Sequence, residues 1–326
     1  MGALLKKCSI FEEIRGRPTN HAATVELVND KILCVWYSGE HECSKDSVLM
    51  GSYYRLKENS WTKPRILLQV DAPLGNPVLF KYGKELRLFY VKVLENWWDS
   101  SILFASRSHD MGLTWEEHTP PLNEKGIMVR NHPLILHDNR ILLPAYDEKK
   151  LIPLYILLNE DYSEIEVFTL NLEYAIQPAV AKLSNSELLF VFRNVKRGHL
   201  ILGILEDVEN PQSLKTFICE KLFNPNSAVE LLKTRSGKFL LVLNNSRTSR
   251  STLSIARSSN GIDWECVYEV ERGIGEYSYP SAVQDKQGYI HICYTFREGK
   301  PPNDDFRYHA YGAVIKHLQI HESLLI

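Results

Sequence analysis

Residues 106–115 read SRSHDMGLTW, and the pattern Ser108-x-Asp110-x-Gly112-x-Thr114-Trp115 inside them decides how the rest of the chain is read. Asp110 can accept hydrogen bonds from backbone N–H groups of its own turn, and Gly112 supplies a left-handed position. Thr114 opens the next strand, and Trp115 folds back to bury its ring under the hairpin. Two other stretches echo this one. ARSSNGIDW (256–264) repeats the Ser, Gly and Trp with Asn260 and Asp263 in altered places, whereas KENSWTKP (57–64) keeps only the turn and Trp61. The three tryptophans lie 54 and 149 residues apart, close to one and three units of roughly 50 residues, which is the period of propeller blades.

Apolar runs rich in Val, Ile, Leu, Tyr and Phe recur along the whole chain between Asn, Asp, Gly, Lys and Pro clusters, with no long helical periodicity to compete. Aligning the first strand of each unit gives six openings, at His21, Asn76, His132, Gln177, Asn226 and Tyr279, spaced by 55, 56, 45, 49 and 53 residues. A turn and a second apolar strand follow each. The expected fold is therefore all-β: one domain over residues 1–326, a six-bladed β-propeller. The last unit lacks sequence for a fourth strand, so the N-terminal KKCSIF is expected to supply it and close the ring, removing an open edge.

In a propeller the first strand of each blade lines the central channel. The six opening side chains, all polar, should therefore converge at one mouth of it. Second strands return to the same face, so the residues after them rim that mouth: Glu40, Glu42, Trp97, Trp98, Asp147, Glu148, Arg193, Arg247, Arg250 and Arg297.

Composition excludes several classes of function. Hydrophobic residues make up 44% and charged residues 24% of the 326, as in soluble globular proteins. A net charge of −2 gives no reason to expect nucleic acid or an anionic membrane as partner. The six scattered cysteines include no C-x-x-C pair, so neither a metal site nor a disulfide framework is implied, and no cofactor is expected. Neither a signal-peptide core nor an apolar membrane span occurs, which makes a cytoplasmic location the expectation. The oligomeric state is not legible.

The residues at the mouth suggest chemistry on an acidic sugar. Arg193, Arg247 (or Arg250) and Arg297 come from successive units, and arginine suits bidentate capture of a carboxylate. Asp46 sits in the long excursion SGEHECSKDS (38–47), where a loop carboxyl can serve as general acid, with Glu40 and Glu42 as rivals. Tyr279, with Tyr277 as its substitute, offers a phenol at the axis. His21 and His132 reach the axis too, and Trp97 and Trp98 offer flat faces for a sugar ring.

The Asp-box turns, the six-unit period and this ring together resemble the sialidase (neuraminidase) superfamily of Asp-box, or BNR-repeat, proteins, over nearly the whole chain. The resemblance implies an arginine triad for the substrate carboxylate, a loop aspartate as acid/base, and a tyrosine nucleophile activated by a glutamate. Carried over by motif, Asp46 matches the acid/base, Arg193 the second arginine, Arg250 or Arg247 the third, and Tyr279 the nucleophile. Gln177 stands where the assisting glutamate belongs, and His21 replaces the first arginine. The expected activity is a sialidase-like exo-glycosidase acting on a terminal carboxylated sugar, with a carbohydrate substrate as partner and neither nucleic acid nor membrane. The alternatives are a polysaccharide lyase on uronate chains and a non-catalytic glycan-binding propeller.

Overall fold

The computed structural model describes residues 4–325; residues 1–3 and 326 of the expected 1–326 span lie outside them. Six small antiparallel sheets stand in a ring as a six-bladed β-propeller. The second blade illustrates the plan, its strands Leu74–Tyr82, Glu85–Val93, Ser101–Ser108 and Glu116–Leu122 running from the axis outwards. The other innermost strands are Thr19–Val28, Ala175–Lys182, Glu230–Lys233 and Glu276–Gln284, with Ile127–Val129 and Leu134–Ile135 forming a broken one in the third blade.

The strands pair because their apolar residues are buried on both faces. Five of the six hydrophobic clusters are each shared by two neighbouring blades, for instance Val78, Phe89, Ile141 and Ile156 between the second and third, and the remaining one joins the first and second and reaches Met128, Tyr146 and Ile176 of the next two. Ring closure follows the expectation. Leu5–Ser9 pairs with Val314–His321 as outermost strand of the sixth blade, Leu5 opposite Ile320 and Ser9 opposite Lys316.

The turn around Asp110 forms as its sequence suggests. Asp110 Oδ1 accepts from the N–H groups of Leu113 and Thr114, both at 2.9 Å, and Oδ2 accepts from Thr114 Oγ1 at 2.6 Å. These bonds, led by that from the Thr114 hydroxyl, hold its carboxyl down at about 2. Ser108 Oγ accepts from Gly112 N at 2.8 Å, and Gly112 sits at φ +92°, where a β-carbon would lie 2.7 Å from Leu33. In the fifth blade Asn260 Oδ1 takes over, accepting from Ile262 and Asp263 N–H at 3.0 and 2.9 Å, and Trp264 is buried.

Asp110→Ala strips four acceptor contacts from one turn, that from Ser108 Oγ at 2.8 Å included, and is expected to cost about 1–2 kcal/mol of stability, the range of a lost cap. Urea denaturation at pH 7 checks it. The carboxylate's share lies above the ordinary aspartate pKa and is lost as the pH falls through about 2. The gap between wild type and variant should therefore narrow in acid, and a gap independent of pH would refute this account.

Candidate active site

Second strands end on the opposite side of an antiparallel blade from the turns between third and fourth strands, so the functional mouth and the Asp-box turns occupy opposite faces of the ring. At that mouth each well-formed innermost strand carries the same irregularity. Two residues oppose one on the neighbouring strand: Ala22–Ala23 against Trp36, Asn76–Pro77 against Tyr90, Gln177–Pro178 against Phe192, and Tyr279–Pro280 against Tyr294. The first residue of each pair is left-handed, with φ of +54°, +43°, +49° and +52°, and Asn226 in the fifth blade joins them at +63°. Non-glycine residues hold this conformation only where their surroundings enforce it, and such strained bulges cluster at functional sites. The bulge turns Asn76, Gln177 and Tyr279 out of the strand's alternation and into a shared pocket.

This pocket is a cavity of about 230 Å³. Arg193 crosses its floor, Nη1 donating to Gln177 Oε1 and to the Tyr279 hydroxyl, both at 3.1 Å, and Nε to Asn226 Oδ1 at 2.6 Å. Gln177 Nε2 donates to the same phenol oxygen at 3.4 Å. The His21 ring packs against Tyr279, centroids 4.3 Å apart. Below, the buried Arg130 lies 5.2 Å from the Tyr279 ring centre and donates to Pro280 O.

A second cluster flanks the first. Arg250 Nη1 pairs with Glu276 Oε1 at 3.0 Å and Nη2 donates to Asn226 O at 2.8 Å, while His309 Nε2 lies 2.7 Å from Glu276 Oε1. Across the pocket Trp98 Nε1 donates to Glu42 Oε2 at 3.3 Å, and Glu148, Tyr37 and Tyr146 complete the wall.

Burial sets most of the electrostatics. It drives His21 well below its ordinary pKa, with help from His309, Arg250 and Arg130 against Glu276, so the imidazole is neutral at pH 7. Burial also raises Glu42 in spite of His309, and raises Glu148 to about 7 in spite of Arg193. Burial opposes the charge on Glu276 as well, but Arg250 and His309 overcome it and hold that carboxyl well below the usual range. The pocket is thus lined by two acids raised by burial, one of them poised at neutrality, and a neutral imidazole, with the firmly ionised Glu276 paired to Arg250 beside it. Among the described residues no group of three His, Cys, Asp or Glu side chains is placed to hold a metal ion.

The family model of the BNR repeat-like domain matches residues 30–292. The chain belongs to that family. Among solved structures it is similar to the Hadza microbial sialidase Hz136 (TM-score 0.73, 15% identity, 94% of this chain and 66% of that one). It is also similar to the NanB sialidase of Streptococcus pneumoniae (0.75, 12%, 97% and 71%) and to the Trypanosoma rangeli sialidase (0.73, 9%, 99% and 60%). A Dyadobacter fermentans protein of unknown function matches over its full length (0.77, 11%, 98% and 100%). The chain thus spans roughly two thirds of the length of those sialidases, and at these identities the likeness concerns the fold. A sequence search of curated proteins found no match.

Within this BNR repeat-like chain, His21, Asn76, Trp97, Gln177, Arg193, Arg250 and Tyr279 line one pocket. The rim residues Glu42, Trp98 and Glu148 line it too, whereas Asp46, Tyr277, Arg247, Arg297, Asn226 and His132 do not. Asp46 is turned onto its own loop, where Oδ1 accepts from Glu40 N and Ser44 Oγ and Oδ2 lies 3.4 Å from Arg17, beside a neighbouring recess. Its loop-mate Glu42 takes the pocket position. Tyr277 is buried against Phe296, because the left-handed turn at Tyr279 breaks the alternation that would have kept both tyrosines on one face.

Arg247 stacks over Phe223 and is exposed, whereas Arg250 is drawn inward by Glu276. Arg297 lies behind the wall, donating to His309 O. Asn226 orients Arg193 and Arg250 without lining the cavity. His132 faces the other end of the channel, because four residues, 130–133, stand opposite two in the third blade, and Arg130 takes the place beneath the site. In the first blade the left-handed residue is Ala22, which has no side chain to aim; His21, one position earlier, enters instead.

The sequence reading left out Glu276, His309, Tyr37, Tyr146, Phe306 and Arg130. A local signal existed for Glu276, three residues before Tyr279 in GEYSYP, but none marked His309 or Phe306 within the excursion 298–313.

Proposed function

We propose that this chain is a sialidase-like exo-glycosidase acting on a terminal carboxylated sugar. The observation that carries the reading is the setting of Arg193. Its hydrogen-bond partners are an amide, a phenol and a second amide, and among the described residues no carboxylate pairs with it. Its charge is therefore left for a ligand, in a cavity with room for one sugar ring. Arg250, already matched by Glu276, contributes position more than net charge.

In this reading Glu148, half protonated near neutrality, gives its proton to the leaving oxygen. Tyr279 faces the anomeric carbon, and the two donors on its oxygen support charge developing there. Gln177 has no basic group to take the phenol proton, so neutral His21, packed on the ring, serves as base. The same neutral imidazole beside a phenol also favours a second reading, a lyase in which His21 removes the proton next to a uronate carboxyl and Tyr279 returns one to the leaving oxygen.

A panel of aryl glycosides of acidic sugars and acidic oligosaccharides separates these. A hydrolase releases reducing ends without ultraviolet absorbance, and a lyase gives an absorbing unsaturated product. Binding without any product would overturn both and leave a glycan-binding propeller. As proton donor Glu148 must be protonated, so kcat should fall as the pH rises through about 7. Glu148→Gln should cost about 10²–10⁴-fold on substrates with poor leaving groups, the usual worth of general acid catalysis. A variant with an unchanged pH profile would remove Glu148 from this role.

A further inference from the structure

We propose that Arg130, buried beneath the pocket, is a positioning residue for Tyr279, and that its fixed positive charge supports the phenol oxygen once a ligand's carboxylate has taken up the charge of Arg193. The inference rests on the exo-glycosidase reading and deepens it; the lyase reading, which also leaves charge on that phenol, needs the same cation. Arg130 is 1% exposed, its Nη2 donates to Pro280 O at 2.8 Å, and its Nε has no partner in the structure. Among the described residues no carboxylate pairs with it. A guanidinium taken out of water for so little in return destabilises a fold, and such departures from good packing are kept where function needs them.

The charges around it leave it unmatched. Glu230, the acid whose charge reaches it, is already bound by His132 at 2.9 Å. Arg250, 5.9 Å from the Tyr279 ring centre, is paired with Glu276. Arg193 donates to the phenol oxygen at 3.1 Å, but in this reading the ligand's carboxylate neutralises it. Arg130, 5.2 Å from the same ring centre, is then the cation that remains. When the phenol O–H bond breaks and the proton passes to His21, the electron pair stays on the oxygen and spreads into the ring. A cation at this distance and out of water acts strongly on that charge.

The third blade is shaped to put Arg130 there. Its inner strand breaks between Ile127–Val129 and Leu134–Ile135, where four residues stand opposite two. From this break Arg130 reaches the sixth blade at Pro280 O, and Asn131 Nδ2 reaches the fourth, donating to Gln177 O and Pro178 O at 2.9 and 3.0 Å. Each thus ties down a left-handed bulge that aims a side chain, Tyr279 or Gln177, into the pocket.

Two variants separate charge from shape: Arg130→Gln keeps a donor for Pro280 O without the charge, and Arg130→Lys keeps the charge. On an aryl glycoside of an acidic sugar the glutamine variant should lose about 10–100-fold in kcat with KM within about twofold, and the lysine variant should recover most of that loss. A merely structural arginine would give equal losses in both variants, and that result would overturn the proposal. A second measurement needs no turnover. N-acetylimidazole, a small electrophile, acetylates the phenol oxygen of Tyr279 in the pocket, and peptide mass spectrometry follows the modified residue in the full chain. Acetylation of Tyr279 should slow about tenfold in Arg130→Gln but not in Arg130→Lys, with the other tyrosines unaffected. If this pattern holds while wild type cleaves none of the glycosides, the role of Arg130 stands and only the exo-glycosidase reading fails. Unchanged kcat and unchanged Tyr279 acetylation in Arg130→Gln would overturn the proposal and leave that reading intact.

Discussion

Replacing Arg193 by methionine is expected to lower kcat/KM on a glycoside with an acidic terminal sugar by about 10²–10³-fold, because removing one partner of a desolvated charge pair typically costs about 2–5 kcal/mol. The guanidinium is ordered from three sides by Gln177, Tyr279 and Asn226 before any ligand arrives, so little entropy remains to be lost on binding. Methionine keeps much of the volume and removes every donor. Arg193→Lys keeps the charge but can no longer hold Tyr279, Gln177 and a carboxylate at once, and should fall between the two. A neutral aryl glycoside is the control, and circular dichroism with thermal melting checks the fold. If the methionine variant kept kcat/KM on the acidic substrate within about threefold, Arg193 would not be the carboxylate receptor and the substrate class would have to be revised.

The second large effect is on stability and comes from the other end of the channel. His132 Nδ1 lies 2.9 Å from Glu230 Oε1 and its Nε2 2.8 Å from Val25 O, so one imidazole joins the first, third and fifth blades across the axis. Glu230 is 2% exposed, and its other oxygen has no partner in the structure. Burial alone would lower the pKa of His132. Glu230 and, more weakly, Glu26 outweigh it and raise the group to about 9.

A folded-state pKa above the unfolded value means that the stabilisation is complete below the unfolded pKa and is lost as the pH rises through about 9. His132→Ala leaves Glu230 buried without its cation and should cost about 3–5 kcal/mol at pH 6. Denaturant melts of wild type and variant at pH 6 and pH 10 should show the wild type's advantage shrinking at the higher pH. An advantage constant over that range would mean that the pair contributes packing rather than charge.

The two ends of the channel differ in how far the sequence revealed them. The blade period came through because it rests on local chemistry: an Asp or Asn beside a Gly at φ > 0, a returning tryptophan, and two-sided apolar strands. Those features need no partner from elsewhere in the chain, so they are written plainly around Trp115 and Trp264 and in part around Trp61. The excursion 38–47 was also legible as a rim loop, but not which of its acids faces inward. Asp46 and Glu42 have similar side chains and differ only in what Arg17, Ser44 and Trp98 offer them in space. The register of the inner strands misled at His132 but not at His21. An extra bulge residue in the third blade sends His132 to the far end of the channel, and alanine in the bulge of the first hands the role to His21.

By itself the sequence determined that this is a ring of six β blades closed by its own N-terminal strand, and that polar groups open its innermost strands, because turn chemistry and period-two burial are properties of contiguous residues. Only the tertiary structure decided that Arg193 is in ion-pair contact with no carboxylate among the described residues while Arg250 is bound to Glu276, that Glu148 is raised to about 7 and His21 is neutral. Charge balance and desolvation are set by groups that meet from different blades, and no stretch of chain contains that meeting.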